Sequence, residues 1–310
     1  MPGRNKLTSA TVRRAASPAH ADALHARRPR LRERWAERGF SAADLLNLWT
    51  PAGRFQHHKS LAYGNAPRQQ LDVYRPRRGD RAPMVVFFYG GSWQSGARDL
   101  YAFLGASLAA QGIVTVVPDY SVYPEARFPA FLEDSARAVA FARTHASEWG
   151  ADPERLVVMG HSAGAHIAAM LACDPQWLAA VGLDAHRDLA GLIGLAGPYD
   201  FLPIESRVLQ AIFGGPGRAE TQPISFVTGR EPPALLITAQ RDVLVEPGNS
   251  KGFAARIREM GGRVEERSYG RVNHFTLIGA FAPGLRLLAP VLRDVDAFVW
   301  RVTARQARAG

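Results

Sequence analysis

Short continuous runs of apolar residues alternate along this chain with longer stretches in which apolar positions recur every three or four residues. Residues 84–89 (Met-Val-Val-Phe-Phe-Tyr) form such a run, at the length of a strand covered on both faces. Residues 113–117, 156–159, 192–196 and 234–238 read the same way, and 264–269 reads as a last strand. Residues 62–64 and 70–74 predict two earlier strands joined by a turn at Gly64-Asn65. Between them lie segments of helical period. One covers 100–111 and stops at Gly112. A second covers 131–149, with Phe131, Ala138, Phe141, Ala142 and Trp149 on one stripe and a stop at Gly150. Residues 165–172 predict a helix of small and apolar residues, and 289–307 a closing helix. This alternation predicts an α/β fold with a mostly parallel central sheet of about eight strands and helices on both faces.

Length and composition fit that picture. A chain of 310 residues, 47% hydrophobic and 21% charged, buries one large core. One main domain is expected over 41–310, with a small cap inserted at about 201–232. No apolar run approaches the roughly 20 residues that span a bilayer, so stable membrane insertion is not expected. The lone cysteine, Cys173, excludes an intramolecular disulfide and a cysteine-based zinc site. It reads as buried filler, and a cytoplasmic location is the expectation.

The formal charge of +10 resembles a nucleic-acid signal until it is located. Residues 1–40 hold ten Lys and Arg against Asp22, Glu33 and Glu37, a net +7, which leaves +3 for the other 270 residues. That basic stretch lacks the apolar segment of a secretory signal and reads as a flexible, solvated extension. No nucleic-acid module or repeat follows, so no nucleic-acid partner is expected. Leu45, Leu46, Leu48 and Trp49 lie at helical spacing, and core packing is the reading for that stripe. The histidines show no metal-ligand spacing, His57 and His58 being adjacent, so neither metal nor organic cofactor is expected.

Candidate chemistry centres on Gly160-His-Ser-Ala-Gly164, which leaves one predicted strand and enters a predicted helix directly. That is the setting of a nucleophile elbow, a turn that projects Ser162 and needs tiny neighbours where strand and helix approach. A serine hydroxyl needs a base and an orienting acid, expected in the chain order Ser, acid, His. After Ser162 only His166, His186 and His274 remain. His166 lies along the same helix and His186 precedes the next strand, so His274, expected in a loop after the last strand, is the candidate base. Asp242, just past the strand at 234–238, is the candidate acid, with Glu246 the runner-up and Asp200 a more distant choice read as a turn or cap. Gly91 and Ser92, after the 84–89 strand, and Ala163, after the nucleophile, are the candidate N–H donors to an oxyanion.

Together these residues resemble the α/β-hydrolases of the carboxylesterase and hormone-sensitive-lipase-like group, which carries His-Gly-Gly-Gly or His-Gly-Gly-x-Trp ahead of Gly-x-Ser-x-Gly. Residues 117–130, beginning Val-Pro-Asp-Tyr-Ser, resemble that group's Asp-Tyr-Arg-Leu-Ala-Pro-Glu segment, and Asp152-Pro-Glu-Arg155 precedes the elbow strand. Tyr-Gly-Gly-Ser-Trp and Gly-His-Ser-Ala-Gly-Ala-His are also similar to bacterial hydrolases related to arylformamidases and prenylcysteine methylesterases. The likeness covers about residues 60–300. Tyr89 stands where the group has histidine, a residue that braces the oxyanion loop and transfers no proton; a phenol braces through its own hydrogen bond.

The resemblance implies a serine hydrolase of carboxylic esters, working through a Ser-His-Asp triad and an acyl-enzyme. Short acyl groups are expected, because the 201–232 insertion is too short for a large lipase lid. The partner is then a small-molecule ester. Amide or formamide hydrolysis by the same triad is one alternative; a non-catalytic ligand-binding domain on a hydrolase fold is another.

Overall fold

The sheet is built around strands with no exposed face. The computed structural model describes residues 42–306 except 49, 51, 52 and 54. Among them, β1 (Phe55–Ala62), β2 (Gln70–Pro76), β3 (Ala82–Phe88), β4 (Val114–Pro118), β5 (Ala151–His161), β6 (Gly191–Leu195), β7 (Ala234–Ala239) and β8 (Val264–Tyr269) form one eight-stranded sheet. Its order is β1-β2-β4-β3-β5-β6-β7-β8, with β2 antiparallel to both β1 and β4 and every pair from β4 to β8 parallel. Every residue of β3, β4, β6 and β7 is buried, as their unbroken apolar runs require. Each such Val, Leu or Phe contributes about 1.5–3 kcal/mol by leaving water.

Helices cover both faces. The described ones used below are α1 (Ala42–Asn47), α2 (Ala102–Ala109), α3 (Ala130–His145), α4 (Ala163–Cys173), α5 (Arg207–Phe213), α6 (Pro247–Glu259), α7 (His274–Gly279) and α8 (Val291–Gln306). α2 and α8 pack together on the sheet, and α3 and α4 form the other layer. α8 presents Val291, Val295, Phe298, Val299 and Val302, spaced by three and four, to the core. α4 is buried on every side, matching its run of alanines and aliphatics.

Several expectations move. β1 begins at Phe55, upstream of the strand expected at 62–64, since its half-exposed Phe-Gln-His-His-Lys-Ser-Leu-Ala lacks a buried face. The helix expected over 131–149 is α3 followed by a tighter turn, Ala146–Trp149, closed by Gly150 at φ +74°. Of the leucine stripe only Leu46 packs against the core; Leu45 and Leu48 are exposed, so the stripe is not a core face. Trp49 and the basic segment 1–40 lie outside the described residues. Among the described residues no helix is long and apolar enough to cross a membrane.

The topology places the site. β3 connects outward to β4 while β5 connects the opposite way to β6, and crevices form where successive connections diverge. Phe88 at the end of β3 pairs with Gly160 at the end of β5, so the chains that follow leave the sheet side by side.

Candidate active site

Ser162 links β5 to α4 with φ +55° and ψ −124°, a conformation non-glycine residues adopt only under constraint. The turn is held from both directions: the Ser162 N–H donates to the Leu195 carbonyl at 2.9 Å, and the Ser162 carbonyl accepts from Ala165 N–H at 2.9 Å. Close approach dictates the flanking glycines. A Cβ on Gly160 would stand 2.0 Å from the Gly164 carbonyl oxygen, and one on Gly164 2.0 Å from that of Phe88. Ser162 itself is half-buried.

The structure brings Asp242 and His274 together. Asp242 Oδ2 lies 2.7 Å from His274 Nδ1, with both side chains buried. The other oxygen, Oδ1, accepts the N–H groups of Leu244 (2.9 Å) and Val245 (3.0 Å), which fixes the carboxylate's orientation. His274 was expected in a loop; it is instead the first residue of α7, because Asn273 and Thr276 form a reciprocal capping box at its start. Glu246 is exposed at the entry to α6, and Asp200 is exposed with its N–H held by Asn249. Neither accompanies His274.

His161, which sequence reasoning passed over, joins the two halves of the site. Its Nε2 lies 3.1 Å from the His274 carbonyl oxygen, and the two rings are 4.7 Å apart. Burial, and then the charge that His274 would carry beside it, pull its pKa down to about 3.

The loop after β3 runs past the elbow. Gly91 has φ +144°, and a Cβ there would meet the Ser95 carbonyl at 2.2 Å. Ser92 and Trp93 also have positive φ, at +52° and +57°. Among the described residues the N–H groups of Gly91, Ser92 and Ala163 donate to no protein acceptor.

Tyr89 anchors this loop. Its hydroxyl donates to Asp119 Oδ1 at 2.7 Å and accepts from Arg68 Nη2 at 2.9 Å, while the same Arg68 nitrogen donates to the Gly96 carbonyl at 2.8 Å. Asp119 is held in turn by the Arg98 backbone N–H at 2.7 Å and by its guanidinium. Burial, followed by the Asp119 charge, drives the Tyr89 phenol well above its ordinary pKa, so it stays a donor. Arg68, Arg98 and Asp119 carry no local signal, since their partners lie tens of residues away.

Trp93 and the 201–232 segment close one side. Trp93 packs against Phe201 (5.9 Å between ring centroids), Phe213 at the end of α5 (4.8 Å) and His166 (5.1 Å). His166 Nε2 meets the Thr221 carbonyl at 2.8 Å, which ties α4 to this segment and makes His166 a packing residue. Cys173 is buried, in the place expected for filler.

Residues 71–257 match the BD-FAE family. The chain belongs to that family. It is thereby an α/β-hydrolase of the carboxylesterase group. It is 30% identical over 247 residues to Esterase LipC of Mycobacterium tuberculosis, covering 73% of this chain and 60% of the relative. It is 26% identical to the probable isoprenylcysteine alpha-carbonyl methylesterase ICMEL1 of Arabidopsis thaliana, covering 77% and 54%. Kynurenine formamidase of Danio rerio is 27% identical, covering 84% of this chain and 91% of the relative. The chain thus spans little more than half the length of the first two relatives. The crystal structure of esterase B from Lactobacillus rhamnosis superposes with a TM-score of 0.72 at 19% identity, covering 90% and 95%, and shares the fold. The BD-FAE match contains Ser162 and Asp242 but ends before His274.

Proposed function

We propose that this chain hydrolyses carboxylic esters of short acyl groups through Ser162, His274 and Asp242. The observation that carries the reading is the buried Asp242–His274 pair at 2.7 Å, joined through the His161–His274 contact at 3.1 Å to the glycine-flanked elbow that holds Ser162 at φ +55°. Asp242 accepts a hydrogen bond from the His274 Nδ1–H, which keeps the proton there and leaves Nε2 as the basic nitrogen. His274 takes the Ser162 hydroxyl proton as the oxygen attacks the ester carbonyl. The unpaired N–H groups of Gly91, Ser92 and Ala163 receive the oxyanion, and Tyr89 holds the loop that carries two of them. His274 then protonates the departing alcohol, and water releases the acyl group by the reverse steps. The esterase names of LipC and the plant methylesterase support ester chemistry. The short-acyl preference rests on the Trp93, Phe201 and Phe213 cluster, which occupies the space beside the loop with side chains of this chain itself.

A p-nitrophenyl ester series from acetate to palmitate tests the reading, with turnover highest at the short end. A steady rise toward palmitate contradicts the acyl preference.

One observation favours a second reading, formamide hydrolysis by the same triad: this chain nearly spans the length of the formamidase relative, covering 91% of it. Side-by-side turnover of an aryl ester and N-formylkynurenine separates the two. We propose further that residues 41–310 form the hydrolase domain, with 201–232 as its small cap and 1–40 as a basic extension.

A further inference from the structure

We propose that His161 is a positioning residue for the base, holding the backbone of His274 at the start of α7 through an Nε2–H···O=C bond. The inference rests on the assignment of His274 above. The 3.1 Å contact joins the residue immediately before the nucleophile to the main chain of the base, 113 positions later in sequence. It bonds the elbow directly to the element that carries His274.

The tautomer follows from satisfaction of buried groups. Nε2 faces a carbonyl oxygen, which only accepts, so it must carry the proton. Nδ1 is buried with no partner, and a Cβ on Gly90 would stand 3.1 Å from it. A proton on Nδ1 would orphan a buried donor and set the Nε2 lone pair against an oxygen, two penalties the other tautomer avoids. The same surroundings oppose a second proton, in line with the depressed pKa. His161 therefore stays a neutral donor and adds no charge against the imidazolium that forms at His274.

The bond sets distance and does no chemistry. If α7 shifts, the imidazole moves away from Ser162 while the substrate's contacts with the loop after β3 persist. Loss of the bond should thus lower kcat and spare KM, since misplacement near 1 Å costs up to about 10²-fold.

The test compares His161→Gln, whose amide N–H reaches the same carbonyl, with His161→Met, which fills the space without a donor. Turnover is measured as the part abolished by Ser162→Ala, so failure of the nucleophile assignment is read separately. The expected result is a roughly 10- to 100-fold loss of kcat in His161→Met with KM within about 3-fold, and recovery of most of it in His161→Gln. Equal kcat in His161→Met and the wild type, or an equal loss in both variants, overturns the proposal. A long-range proton–nitrogen NMR spectrum of the wild type tests it without any variant. A neutral His161 protonated at Nε2 from pH 5 to 8 is expected, and protonation at Nδ1 overturns it.

Discussion

Asp242 divides its two carboxylate oxygens between roles, Oδ2 to His274 Nδ1 at 2.7 Å and Oδ1 to two backbone N–H groups of its own turn. An amide cannot serve both. In Asp242→Asn, either the NH₂ faces Nδ1 and forces the wrong histidine tautomer, or it faces the two N–H donors. A kcat loss of about 10³- to 10⁴-fold with intact far-UV circular dichroism is expected. A near-normal rate would direct attention to Glu246.

The elbow tolerates no side chain at Gly164, whose Cβ would fall 2.0 Å from the Phe88 carbonyl in the neighbouring strand. The obstacle is backbone in the sheet centre, which cannot rotate away. Gly164→Ala should cost about 3 kcal/mol or prevent soluble folding. Urea denaturation reads this directly, and an unchanged midpoint would mean that α4 slides without penalty.

Tyr89→Phe removes the donor to Asp119 and one partner of Arg68, loosening the loop that carries Gly91 and Ser92. The ring and its stacking on Tyr120 (4.8 Å) remain. The expected phenotype is a kcat loss of about 10-fold with little change in KM, and a stability loss of about 1–2 kcal/mol. Steady-state kinetics on an acetate ester checks the first; unchanged kcat would assign the phenol a purely structural part.

Two buried histidines give folding a pH dependence of known sign. Burial lowers His166 to about 4 and, with the nearby His274, lowers His161 to about 3, against 6.5 in the unfolded chain. Above pH 6.5 both are neutral in both states and contribute no slope. As pH falls from 6.5 toward 4 the unfolded chain takes up the protons first, so stability is lost by about 1.4 kcal/mol per pH unit for each histidine. His166→Leu should shift overall stability and also flatten the slope of unfolding free energy between pH 4 and 6 by about one proton. An identical slope in the variant would show that His166 protonates freely in the fold.

The strands were legible where burial on both faces leaves an unbroken apolar run, as in β3 and β7. β1 was not, because an edge strand with His57, His58 and Lys59 has no face to bury and so no period to read. Ser162, Asp242 and His274 were legible as candidates from their order and from the strand ends that precede them, and the Asp242–His274 pairing matches that order. The helical start at His274 was written in Asn273 and Thr276, a capping signal eclipsed by the turn at Gly270 just before it. His161, Arg68 and Asp119 were not legible as a set, since each acts on a partner that only the sheet order brings near. Tyr89 was legible as a departure from the family's histidine; its dependence on Arg68 was not.

The central claim is that Ser162 is the nucleophile. Steady-state hydrolysis of p-nitrophenyl acetate by purified, folded Ser162→Ala tests it most directly. The account predicts a kcat at least about 10³-fold below the wild type. A near-native rate in that variant would contradict it.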